Sequence, residues 1–187
     1  MRRLLAISVL GVIILIAMVV VAMSVTSSRD GEGLDLGYLG SLVILFAALW
    51  LYWGLGAVIV VRADGHAVGW LFALAAALTA SVFGCNSLGY ILASRLPPDL
   101  LGAWFGLVGA LLFPPAIILT LPAVALTFPT GSLPGPRWRW PVGLVAAMVA
   151  VGMLAIVIRP GPMFDSEMDN PLTAWLPASS PGMLEVL

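Results

Sequence analysis

Hydrophobic positions along this chain come in long unbroken blocks, without the helical or alternating periodicity of a water-facing element. The blocks run from Leu4 to Met23, Leu36 to Val61, Val68 to Leu92, Leu100 to Phe128 and Trp140 to Ile158. None contains Asp, Glu, Lys, Arg or His. A bilayer-spanning helix takes about 20 apolar residues, and in hydrocarbon only a helix or a closed barrel satisfies every backbone polar group. The pattern predicts an all-α, polytopic helical membrane protein with spans at 4–26, 36–61, 68–92, 100–128 and 140–158. Met1-Arg2-Arg3 before the first block also suits a secretory signal. That block is about twice a typical signal core and no small-x-small site follows it, so an uncleaved span is expected.

Composition sharpens this picture. The chain has 187 residues, 61% hydrophobic and 9% charged, with a formal net charge of −1, and a mean hydropathy of +1.12. So little polar surface cannot cover a water-soluble globule. Five spans leave no gap of roughly 50 residues for a catalytic domain. A soluble enzyme, a nucleic-acid binder and a disordered tail are excluded. All eight basic residues are Arg, which with the Ala, Gly and Pro content fits a GC-rich bacterial genome and a plasma-membrane location. The single cysteine, Cys85, excludes an internal disulfide and a cysteine-built metal site.

Arginine placement predicts a cytoplasmic N-terminus. Arg2, Arg3, Arg62, Arg137 and Arg139 then lie inside, against Arg29, Arg95 and Arg159 outside. Of the acidic residues only Asp64 lies inside; Asp30, Glu32, Asp35, Asp99, Asp165, Glu167, Asp169 and Glu185 lie outside. Residues 159–187 become an extracytoplasmic Pro-rich tail with Pro160, Pro162, Pro171, Pro177 and Pro181. Its last residues, Met183 to Leu187, read like the opening of a sixth span.

Candidate features inside the spans have modest readings. Pro114, Pro115 and Pro122 fall in the over-long fourth block, and Pro115 should bend it near its middle, as a static kink or a hinge. Gly102 and Gly106, extended by Ala110, form a G-x-x-x-G pair that permits close helix approach, although composition alone also accounts for it. Trp50 and Trp53 share a helix face and serve as interhelical packing or as part of a pocket with Asn86 and Tyr90. Asn86 needs a hydrogen-bond partner in lipid and is expected to bond to another helix. Trp138 and Trp140 alternate with Arg137 and Arg139 as a headgroup anchor. His66, the only histidine, is read as a loop residue without a chemical role. With no intramembrane ionisable residue, phosphate loop or hydrolase motif, neither catalysis nor a bound cofactor or metal is expected.

Between the fourth and fifth spans the chain reads Phe128-Pro129-Thr130-Gly131-Ser132-Leu133-Pro134-Gly135-Pro136-Arg137-Trp138-Arg139. Arg62, Gly65 and Gly69-Trp70-Leu71 precede it, and Arg159-Pro160-Gly161-Pro162 and Asn170-Pro171-Leu172 follow. These four segments, spread over roughly residues 50 to 175, resemble the N-terminal multi-span membrane region of bacterial, actinobacterial-type sensor histidine kinases. The family's loop is similar to F-P-D-G-R-L-P-x-P-R-W-R, so Thr130 and Ser132 depart from it, and His66 stands where Asn is usual. The resemblance implies a sensory or anchoring input module of a two-component system, with a further span and the kinase beyond this chain. Expected partners are the lipid bilayer and either a second copy or an output kinase with its response regulator; no ligand is named. A small transporter or permease subunit, or a structural membrane partner, is the alternative. Independently of the family, the Pro- and Gly-rich loop should be a compact, interface-bound connector.

Overall fold

The computed structural model describes residues 2–27, 36–95, 100–128, 130–161 and 169–173. Among these, every regular element is a helix. In chain order they are α1 (Arg2–Ser27), α2 (Leu36–Arg62), α3 (Ala67–Arg95), α4 (Leu100–Pro114), α5 (Thr120–Thr127) and α6 (Arg139–Ile158). A π-helical turn (Pro115–Leu119) joins α4 to α5, and a 3-10 turn (Pro136–Trp138) leads into α6. With α4, the π turn and α5 counted as one rod, five helical segments of 23 to 28 residues are long and apolar enough to cross a membrane. Their ends agree with the hydrophobic blocks to within four residues.

The fourth block differs from expectation in a specific way. Pro114 and Pro115 lack the N–H groups that an α-helix needs at these positions. The chain absorbs the loss by widening one turn to π geometry at the place where the prolines were expected to bend the helix. Thr120 Oγ1 donates to the Ala116 carbonyl beside this turn. Thr127 Oγ1 donates to the Ala123 carbonyl at 2.6 Å. Each hydroxyl is thereby satisfied within its own helix.

α3 is the centre of the bundle and packs on α1, α2 and α4. Small residues bring it close to each. Ala76, Ala77 and Ala80 of α3 join Ile14, Ala17 and Val21 of α1 and Phe46 and Leu49 of α2 in one buried cluster. A Cβ on Gly69 would stand 2.8 Å from the Gly56 carbonyl, and a Cβ on Gly56 2.6 Å from that of Gly69. The α3–α4 contact repeats the arrangement: a Cβ on Gly89 would lie 2.9 Å from the Gly102 carbonyl, and one on Gly102 2.8 Å from that of Gly89. Gly102 and Gly106 thus form a true packing surface, and α3 supplies its partner Gly89.

α6 stands apart. Val149 is its one buried residue, and it touches the bundle through α4 and the π turn. Leu144, Met148, Val151, Leu154 and Ile158 are all more than half exposed. The outer faces of α1 and α2 are equally apolar, with Leu5, Ile16, Val43, Ile44 and Leu51 exposed. Water would penalise such a surface, whereas lipid would not.

Replacing Gly89 with Val should push a branched side chain into the α4 backbone and destabilise the bundle by about 1–3 kcal/mol. Gly54→Ala and Gly152→Ala, where a Cβ meets nothing within 4 Å, should leave stability unchanged or slightly raised. Thermal unfolding in detergent micelles, followed by circular dichroism, measures the contrast.

Candidate functional site

Three distant parts of the chain meet at the end of the bundle that carries Arg3. α2 ends in a Schellman turn, in which the Gly65 N–H donates to the Val60 carbonyl at 2.8 Å. Asp64 and Gly65 take left-handed conformations there, with φ of 50° and 85°. Asp tolerates this region because its short polar side chain bonds locally. The Asp64 carboxylate faces outward and pairs with the guanidinium of Arg3 on α1. The pair is solvent-exposed, so it guides orientation more than it adds stability.

His66 follows at once. Its Nδ1 accepts the Val68 N–H at 3.4 Å, where an N-cap side chain would sit at the start of α3. On its other side the ring meets the loop after α5: a Cβ on Gly131 would stand 2.8 Å from His66 Cε1. Gly131 has φ of 75°, and its N–H closes α5 by donating to the Thr127 carbonyl at 2.7 Å. His66 therefore has a structural role as cap and spacer between two loops, which the expectation of a loop residue without a chemical role did not include. Thr130 Oγ1 donates to the Ser132 carbonyl at 3.2 Å, and Pro136 opens the 3-10 turn.

Most of the motif residues gather here. Gly69 is locked against α2, Trp70 is half-buried in the first turn of α3, and Leu133 is half-buried in the connector. Phe128, Pro134, Pro136, Arg137, Trp138 and Arg139 are exposed, and so are Arg2, Arg3 and Arg62. Trp140 is 83% exposed. Pro129 lies outside the described residues. This end of the bundle carries exposed guanidinium and indole groups, with Asp64 as its one carboxylate among the described residues. Such a face matches the phosphates and carbonyls of a lipid headgroup layer.

The opposite end has its own built feature. Asn170 is completely buried. Its Nδ2 donates to the carbonyls of Ile156, Val157 and Arg159 at 3.0, 3.1 and 2.9 Å. Its Oδ1 accepts the Leu172 N–H at 3.0 Å. One side chain thus satisfies the orphaned carbonyls at the end of α6 and fixes its own turn. The Asn170 N–H donates to the Gly161 carbonyl at 3.1 Å, so the Arg159-Pro160-Gly161 and Asn170-Pro171-Leu172 segments form one cap. Of the remaining tail only Asp169 and Thr173 are described; residues 162–168 and 174–187, including the expected sixth-span opening, lie outside the described residues. The acidic residues Asp30, Glu32, Asp35, Asp99, Asp165, Glu167 and Glu185 lie outside them as well.

The four candidate pocket residues are not brought together. Trp50 and Trp53 stack edge-to-face at 5.1 Å and turn towards α1. Trp53 Nε1 donates to the Ile7 carbonyl at 3.1 Å, and its ring lies over Gly11. Trp50 Nε1 donates to Met18 Sδ at 2.8 Å and borders an apolar cavity of about 580 Å³ with Val21, Leu42 and Phe46. Asn86 lies on the α4 side of α3, its carboxamide oxygen over Gly109. Tyr90 is exposed one turn further on. Among the described residues Asn86 bonds to no other helix, and the residue of α4 beneath its carboxamide, Gly109, has no side chain to offer. No three His, Cys, Asp or Glu side chains cluster to hold a metal among the described residues.

Replacing Asn170 with Asp keeps the shape but removes both N–H donors. It should cost about 1–3 kcal/mol, read by thermal unfolding in micelles, and should speed amide exchange of residues 170–173. Comparison with known proteins gives no relative: no family model, no curated protein and no solved structure matches the chain.

Proposed function

We propose that this chain is a multi-pass bacterial plasma-membrane module, with a cytoplasmic N-terminus, that acts as the sensory or anchoring input region of a two-component signalling protein. It performs no catalysis itself; the kinase and response regulator are its output partners. The observation that carries the reading is the meeting of α1, the α2–α3 turn and the α5–α6 connector in one cluster at the Arg3 end. A displacement of any of these helices moves the shared loops, and that is what an input region has to deliver. The proline-stiffened connector passes such a displacement on to α6, where a floppy linker would absorb it. The resemblance of the same segments to sensor-kinase membrane regions supports the reading. The arginine-rich face supports a cytoplasmic assignment for that end.

Two measurements test it. A phosphatase reporter fused after Leu187 should be active and a cytoplasm-dependent fluorescent reporter dark; the reverse result removes the five-span, N-inside topology. For signalling, the chain is joined through one added apolar span to a histidine-kinase output module. Pro134→Gly with Pro136→Gly should change autophosphorylation at least threefold without loss of protein from the membrane. Unchanged phosphorylation removes the coupling role, and solute flux through vesicles holding this protein alone would establish transport in its place.

A further inference from the structure

One polar group stands out on the outer surface of the bundle. Asn86 lies five residues from the midpoint of α3, about 8 Å along the axis, and so inside a hydrocarbon layer of roughly 15 Å half-thickness. Its side chain is exposed. Among the described residues neither Asn86 nor Tyr90 has a side-chain hydrogen bond. An amide left without a partner at that depth is costly. Gly109 lies beneath the Asn86 carboxamide, leaving no side chain of α4 to bond it.

Asn86 is flanked on the same face by Phe83, 38% exposed, and Tyr90, 53% exposed. Positions 83, 86 and 90 follow the i, i+3, i+7 spacing of the seam between two paired helices, where an Asn sets register. The face lies between α2 and α4, which both flank α3 without packing on one another.

We propose that this face of α3 is a dimerisation seam, occupied by the same face of a second copy of the chain across a two-fold axis along the membrane normal. In such a parallel pair each residue meets its own counterpart at the same depth. A carboxamide carries both donors and an acceptor, and a phenol carries one of each, so Asn86 and Tyr90 are each self-complementary. A lipid chain offers no such partner, and a different helix would need its own polar group at this depth; a second copy supplies it without further requirement. The inference depends on membrane embedding and is independent of the signalling role.

The test uses the full chain in native membranes, with Cys85→Ser as background. Single cysteines at Phe83 and Tyr90 should give oxidative cross-linked dimers, and cysteines at Leu74 on α3 and at Leu144 or Val151 on α6 should not. In lipid vesicles, energy transfer between labelled copies should show association weakened about threefold to tenfold by Asn86→Leu and largely retained by Asn86→Gln. Leu at this exposed position leaves folding intact, which the unfolding curve checks. A monomeric wild-type chain, cross-linking that peaks on α6, or association indifferent to Asn86→Leu would each overturn the seam, whatever the topology reporters and phosphorylation assays show.

Discussion

Close backbone contact at small residues is the constraint on which the rest of the fold depends. In lipid, burying one apolar side chain against another gains little, because the hydrocarbon is as apolar as the neighbouring helix. What remains is contact between surfaces that fit closely. α3 meets that requirement on three sides: Gly84 against Ala17 of α1, Gly69 against Gly56 of α2, and Gly89 against Gly102 of α4. Larger residues at these positions would hold the helices apart and forfeit many weak dispersion contacts at once. α6 has no such pairing, and Gly143 and Gly152 meet nothing within 4 Å. Its loose attachment follows from the same rule.

Polar groups obey a complementary rule. Within the helices, Ser24, Ser41, Ser81, Thr120 and Thr127 donate back to carbonyls three or four residues earlier. The two indoles of α2 reach a backbone carbonyl and a thioether on α1. Charged groups are confined to the ends, where Arg3 finds Asp64 across 61 positions of sequence. Asn86 is the notable departure from this economy.

The helices were legible because block length alone defines a span, and their ends were set by the first charged or turn-forming residues. The break between the fourth and fifth spans was legible from Pro134, Gly135 and Pro136. What stayed hidden was pairing. The G-x-x-x-G of α4 was visible, but its partner Gly89 sits among so many small residues that no spacing marks it. The cap made by Asn170 joins groups 11 to 14 positions apart through an irregular turn, which no periodicity encodes. The packing role of His66 was hidden because its neighbour, Gly131, is far away in sequence. The π turn was half-legible: Pro114 and Pro115 announce a disturbance, but not that one turn widens to take it up.

The treatment of the two ends of α6 has a mechanical meaning. At one end three carbonyls are clamped by a single buried amide, and at the other a proline-set 3-10 turn fixes the direction of entry. Between them the helix has almost no lateral hold. Both devices bond the chain to itself and not to the other helices, so α6 is internally complete at its ends while its side is held only by α4 and the π turn. A helix finished in this way can shift against the bundle without leaving a backbone polar group unsatisfied and without parting any close glycine contact.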